Sequence, residues 1–302
     1  RRDFTINTLA LRLDGRHYGE LHDHWGGLVD LERGLVRVLH SLSFVDDPTR
    51  MLRAIRFEQR FDFKIGVRTL ELMNEASSLL ERLSGGRIRH ELDLILDEPR
   101  AVAMLARLSD LHLLSSIHPA LPWDDKLADQ LTAALESPLP AAFTDPADVS
   151  DVSLRRALGY LLWLSPLSAE ELGTVFQRMH FHASLEQMLL VASQLCADLP
   201  SLKDVPPSKW TARLDGLPLL SIYAVFLATA DAKAHKSLKK YVTTWKHVQP
   251  KTDGNDLQVL GLKPGPRYRE ILSQLRAAWL DGEIKTEEEE VELLENLLRS
   301  GA

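Results

Sequence analysis

The sequence of 302 residues contains a single cysteine, Cys196. One thiol cannot close an intramolecular disulfide or supply a multi-thiolate zinc site, so a reducing, cytoplasmic setting is expected. No apolar run approaches the ~18 residues that a membrane span requires, so no membrane partner is expected. The start, Arg1-Arg2-Asp3, has neither a Met nor the apolar stretch of a signal peptide. A chain opening in this way reads as cut from something longer. Strand signals are also scarce, and beyond residue 65 the pattern contains no convincing sheet. No repeat of fixed period is present, and low complexity is confined to Glu287–Glu290.

What is present is a globular composition, 45% hydrophobic and 26% charged, enough to bury a core in more than one domain. The net charge of −7 argues superficially against a nucleic-acid partner. The sum conceals an uneven distribution. Residues 201–280 hold 13 Lys/Arg against 6 Asp/Glu, whereas residues 101–200 hold 5 against 12 and residues 281–302 hold 2 against 8. A local excess of +7 can neutralise phosphates even in an acidic chain; a solvated lysine-rich helix face is the plainer reading of the same numbers.

Strand-type patterns occupy residues 4–40: Phe4-Thr5-Ile6, then Leu9 to Leu13, with Asp14-Gly15 as a hairpin-type turn. Val29-Asp30-Leu31 and Leu35 to Leu39 are read as further short extended segments. From Asp47 onward the spacing is helical, as in Met51, Leu52 and Ile55, or Leu70, Met73, Ala76 and Leu80. Pro138, Pro140 and Pro146 mark one junction, and Pro200, Pro206 and Pro207 another. The expected fold class is therefore mainly α, with helical segments following a short β-rich piece.

Two motifs carry chemistry. In Arg1-Arg2-Asp3-Phe4-Thr5-Ile6-Asn7, guanidinium groups suit phosphate and the carboxylate suits ribose hydroxyls, although a solvated chain end has the same composition. In Asp46-Asp47-Pro48-Thr49-Arg50-Met51-Leu52-Arg53-Ala54-Ile55-Arg56-Phe57, Pro48 suits the first helical position and Asp47 the N-cap. Capping and solvent exposure account for these residues structurally. The functional alternative comes from base chemistry. A carboxylate accepts from the amino groups of cytosine or adenine, whereas uracil O4 and guanine O6 are themselves acceptors, and a neighbouring Arg donates to ring acceptors.

These segments, in this order, resemble the class II tRNA nucleotidyltransferase/poly(A) polymerase family. Gly26-Gly27-x-x-Asp30-Leu31 lies between the two motifs, and Ser84-Gly85-Gly86-Arg87-Ile88 with Glu91-Leu92 is similar to the family's next segment. The resemblance is dense through residue 115. It thins until Gly254–Leu257, Leu260–Pro266 and Leu280-Asp281-Gly282, which look like the family's C-terminal tail. It implies four regions: the end of a nucleotidyltransferase head (1–41), a helical neck with the nucleotide pocket (42–115), a body (116–200) and a basic, tRNA-binding tail (201–302).

The resemblance further implies an enzyme adding CMP and AMP, or AMP alone, from CTP and ATP to the tRNA 3′ end without a nucleic-acid template. Arg2 and Asp3 would hold the phosphate and ribose, and Asp47 and Arg50 would read the Watson–Crick edge. Arg53 and Arg56 would assist near the triphosphate, although Arg56 lies nine residues, or about 180° of helix rotation, from Asp47. The family often has Glu where Asp46 stands, which leaves the role of that side chain open. Catalytic Mg²⁺ would be held by an Asp-x-Asp pair upstream of Arg1, leaving the chain alone inactive. Asp30-Leu31-Glu32 only mimics that pair. A poly(A) polymerase and a non-catalytic RNA-binding protein are the rival readings.

Within the basic block, Lys233, Lys236, Lys239, Lys240 and Lys246 run with Tyr241 and Trp245 interleaved, a composition suited to an RNA backbone with some stacking. Arg267 and Arg269 follow Pro264-Gly265-Pro266 at an expected helix start, where free N–H groups suit phosphate. The histidines are scattered without a metal-ligand arrangement and are assigned no chemistry.

Overall fold

In the computed structural model, helices account for 68% of the residues and strands for 3%, as the mainly α expectation requires. The structure describes residues 2–143 and 153–299. Arg1 of the first motif and Pro146 of the first expected junction lie outside them.

The predicted hairpin forms: β1 (Ala10–Leu11) pairs antiparallel with β2 (Leu21–His22), and Gly15 takes φ +64° in the loop. The expected strand at Phe4-Thr5-Ile6 shrinks to one antiparallel bridge, Phe4 to Val38, and Thr5–Asn7 turns into a single 3₁₀ helix. The Thr8 hydroxyl closes that turn by donating to the Thr5 carbonyl at 2.6 Å.

Val29-Asp30-Leu31, expected to be extended, lies instead in helix α1 (Gly27–Glu32). The cause is local. The Asp23 carboxylate accepts the N–H of Gly27 at 2.8 Å and of Leu28 at 3.0 Å, and Gly26 adopts a left-handed φ of +71°. Gly27 must itself lack a side chain, because a Cβ there would lie 2.3 Å from the Thr5 carbonyl oxygen. After α1, β3 (Leu35–Val36) pairs in parallel with β4 (Lys64–Ile65).

Helix α2 (Ser43–Asp46) ends at Asp47, and α3 (Arg50–Phe61) begins three residues on. Pro48 is thus in the turn before the helix rather than at its first position. Asp47 nonetheless does a capping residue's work, accepting the Thr49 N–H at 3.0 Å. On α3, Met51, Leu52, Ala54 and Ile55 are fully buried, against α5 and α6 on one side and the β3–β4 pair on the other. Arg50, Arg53 and Arg56 recur every three residues and share another face.

Then follow α4 (Val67–Ala76), α5 (Gly85–Leu96), α6 (Ala101–Asp110), α7 (Leu113–Ile117), α8 (Asp125–Glu136), α9 (Leu154–Leu164), α10 (Ala169–Met179) and α11 (Ala183–Asp198). Side-chain caps mark three of these starts: Asp124 on α8, Ser153 on α9, and a Ser168–Glu171 capping box on α10. The last six helices are α12 (Pro207–Leu214), α13 (Leu219–Ala228), α14 (Ala232–Thr243), α15 (Gly254–Val259), α16 (Pro266–Asp281) and α17 (Glu287–Arg299).

The described residues divide into two compact units, one of residues 2–138 and 153–193, the other of 139–143 and 194–299. The first unit's core gathers the apolar faces of α3, α5, α6 and α9, with Tyr160 and Trp163 at 0% exposure. In the second, Leu257, Ile271, Leu275 and Leu294 form a cluster from α15, α16 and α17. No helix among the described residues is long and apolar enough to cross a membrane.

Candidate nucleotide-selecting site

The three arginines of α3 meet two acids from distant parts of the chain. Asp3 Oδ1 lies 3.4 Å from Arg50 Nε, and Asp3 Oδ2 accepts from Arg53 Nε at 2.7 Å. Glu91 of α5 reaches Arg53 Nη1 at 3.5 Å and Arg56 Nη1 at 2.9 Å. The result is an alternating ladder, Arg50–Asp3–Arg53–Glu91–Arg56. It is largely desolvated: side-chain exposure is 7% for Arg50, 12% for Arg56 and 6% for Glu91. Burial alone would favour a neutral Arg53, but Asp3 and Glu91 outweigh it and hold the guanidinium firmly charged.

Arg50 is anchored from behind, donating from Nη1 to the Ser43 carbonyl at 3.0 Å. Its Nε is buried and, although 3.4 Å from Asp3, makes no hydrogen bond of good geometry. Asp47 sits beside this ladder and accepts three bonds: Thr49 N–H at 3.0 Å, Thr49 hydroxyl at 2.7 Å and Arg87 Nη2 at 2.7 Å. Burial pushes the Asp47 carboxyl up, but the Thr49 bonds and the Arg87 charge outweigh it and hold the group below the usual carboxylate range.

A cavity of about 470 Å³ opens on this arrangement, walled by Asp3, Asp47, Arg53, Arg87, His90 and Glu91 among others. A second, of about 500 Å³, shares Asp3 and Arg53 with it and adds Arg2, Ile6 and Asn7. Such volumes suit a small-molecule ligand. Of the six expected nucleotide-binding residues, Arg2, Asp3, Asp47 and Arg53 therefore line the two cavities. Arg50 and Arg56 lie behind the wall, tied to it through Asp3 and Glu91.

Arg87, His90 and Glu91 join this wall without a role that the sequence motifs predict. The available signal was the i, i+4 spacing of Arg87 and Glu91, which puts both on one face of α5. Asp30 is an internal structural acid, 3% exposed, engaged by the Thr5 hydroxyl and by Arg37 Nε at 2.9 Å.

The basic candidates lie in the second unit, where α14 and α16 each pack on α12. Lys233, Lys236, Lys239 and Lys240 are exposed along α14, with Lys233 paired to Asp204 at 2.5 Å and Lys240 5.9 Å from the Trp245 ring centre. Tyr241 is not available for stacking: it is 4% exposed and donates to Asp215 at 3.0 Å. Lys246 and Arg267 are half-buried, and Arg267 donates to the Leu298 carbonyl at 3.2 Å. Arg269 is exposed and borders a cavity of about 710 Å³ with Tyr268 and Arg276.

Residues 1–37 match the family described as poly A polymerase head domain, and residues 62–124 the family described as probable RNA and SrmB-binding site of polymerase A. An A-adding tRNA nucleotidyltransferase of Geobacter sulfurreducens is 34% identical over 99% of this chain, which spans 35% of that relative's length. The Thermotoga maritima CCA-adding enzyme, solved in complex with tRNA_CCA, superposes with a TM-score of 0.76 at 31% identity, covering 100% of this chain and 72% of its own. A CCA-adding enzyme solved with CTP gives a TM-score of 0.78 at 32% identity, covering 99% of this chain and 71% of its own. With its paired motifs, its helical architecture and these likenesses, the chain belongs to the tRNA nucleotidyltransferase/poly(A) polymerase family.

Proposed function

We propose that the chain is the nucleotide-selecting and RNA-holding part of an enzyme that adds CMP and AMP, or AMP alone, to the 3′ end of tRNA without a nucleic-acid template. The observation that carries this reading is Asp47, an ionised carboxylate on the cavity wall whose three bonds all fall on Oδ1. Behind the wall, Arg50 keeps a buried Nε without a hydrogen bond, a donor that meets the base once the side chain turns from Asp3 into the cavity. An acceptor next to a donor complements the amino group and ring nitrogen of cytosine or adenine, and repels uracil O4 and guanine O6.

In this reading Arg2, Asp3 and Arg53 hold the sugar and phosphates from the adjoining cavity. Arg56 keeps Glu91, and through it Arg53, in place. The relatives solved with CTP and with tRNA support the substrates, and the exposed lysines of α14, with Arg269, supply the charge an RNA backbone needs.

Nucleotidyl transfer uses Mg²⁺ held by carboxylates. The residues described here do not fit that metal: none of their His, Cys, Asp and Glu side chains group in threes, and Asp30 is committed to Thr5 and Arg37. The metal-binding acids would belong to sequence outside the residues described here.

Isothermal titration of the chain with CTP, ATP, UTP and GTP tests the proposal. Tighter binding of CTP or ATP than of UTP is expected, and equal affinity for all four nucleotides would sink it. On the complete enzyme, incorporation into tRNA lacking CCA or lacking only the terminal A separates the two additions.

A further inference from the structure

Asp47 stands between two partners of different origin. Thr49 comes from the turn that opens α3 and is 5% exposed, whereas Arg87 comes from the first turn of α5 and is 52% exposed at its side chain. The start of α5 is fixed tightly, because a Cβ on Gly85 would fall 2.0 Å from the Arg178 carbonyl oxygen. Arg178 in turn donates to the Leu83 and Leu80 carbonyls, both at 2.8 Å. The Arg87 guanidinium is thus delivered to Asp47 by a rigid element.

We propose that Arg87 is a positioning residue for base selection: with Thr49 it occupies one oxygen of Asp47, Oδ1, so that the other, Oδ2, is the single acceptor presented to an exocyclic amine. This rests on the reading that Asp47 selects the base. A carboxylate held at only one point can turn about its terminal torsion and offer either oxygen along several directions. Fixed by a charged donor and a hydroxyl, it offers one. The Thr49 bonds, with the adjacent Arg87 charge added to them, also keep the group ionised against its burial. A protonated carboxyl would donate a hydrogen bond and so accept uracil O4 or guanine O6.

The test is titration of CTP, ATP, UTP and GTP into the wild-type chain and into Arg87→Gln, Arg87→Lys and Asp47→Asn across a pH series. Arg87 is exposed enough for these changes to leave folding intact. Arg87→Gln is expected to cut the CTP-over-UTP preference about tenfold, chiefly by weakening CTP. It is also expected to raise the pH at which acid abolishes that preference. Arg87→Lys should restore part of both. An unchanged preference in Arg87→Gln overturns the proposal, as does an equal loss for all four nucleotides, which would make Arg87 a phosphate contact. Asp47→Asn reads the premise separately. If it retains the wild-type preference, base selection by Asp47 fails and this proposal with it; if it abolishes the preference while Arg87→Gln does not, only the role of Arg87 is lost.

Discussion

Replacing Glu91 by Ala should strand a buried cation. Arg56 has a side chain 12% exposed and pairs with Glu91 alone among the two acids of the ladder, since Asp3 reaches only Arg50 and Arg53. Removing one partner of a buried ion pair costs about 3–5 kcal/mol. The lower end, about 3 kcal/mol, applies here, because Arg53 keeps Asp3 and, at 30% side-chain exposure, can reach water. At roughly 2–4 °C per kcal/mol for a unit of this size, the melting temperature should fall by roughly 6–12 °C. Glu91→Gln keeps an acceptor for Arg56 and should lose only about 1–2 kcal/mol. Urea unfolding followed by far-ultraviolet circular dichroism, with an unchanged m-value, measures both. A loss below about 0.5 kcal/mol for Glu91→Ala, as for an exposed pair, would refute the picture of a desolvated ladder.

Three further outcomes are expected. Gly85→Ala, which sets a Cβ 2.0 Å from backbone, should destabilise by about 3 kcal/mol or more, whereas Gly86→Ala, with nothing within 4 Å, should be neutral or stabilising by about 0.5 kcal/mol; thermal melts compare them. Glu290, 1% exposed, accepts from Lys251 N–H, Thr252 N–H and hydroxyl, and Trp279. Burial pushes its carboxyl up, but these bonds outweigh it and hold it below the ordinary 4.5. A folded-state value below the unfolded one contributes stability that is present above pH 4.5 and lost as the pH falls through the depressed value. Melts between pH 6 and pH 3 should therefore show an acid-side loss that Glu290→Gln flattens. Burial pushes the Cys196 thiol up to about 11, so at pH 8 it should react with Ellman's reagent roughly 100-fold more slowly than free cysteine; comparable rates would contradict that burial.

The sequence disclosed the parts of the site more readily than their connections. Asp47, Arg50 and Arg53 could be assigned to one turn and helix because Pro48 and the apolar spacing of Met51, Leu52 and Ile55 are local signals. The partners of those residues are not local. Arg87 lies 40 residues from Asp47 and Glu91 lies 38 from Arg53, and only the packing of α5 on α3 joins them. Helix α1 reads as extended in the sequence because six residues are too few to separate a period of 3.6 from one of 2, and the deciding interaction is the Asp23 carboxylate on its first N–H groups. In α14 the lysines are exposed, as both readings of the basic block require, and Tyr241 turns inward to donate to Asp215 as the plainer one has it.

In the proposed function Asp47 and Arg50 read the edge of the incoming base. A crystal structure of the chain with bound CTP tests it most directly. The cytosine amino group should lie within about 3.2 Å of Asp47 Oδ2, and Arg50, turned from Asp3 into the cavity, should bring a guanidinium nitrogen to the same range from cytosine N3 or O2. A cytosine ring bound elsewhere, or turned with its amino group away from Asp47, would contradict it.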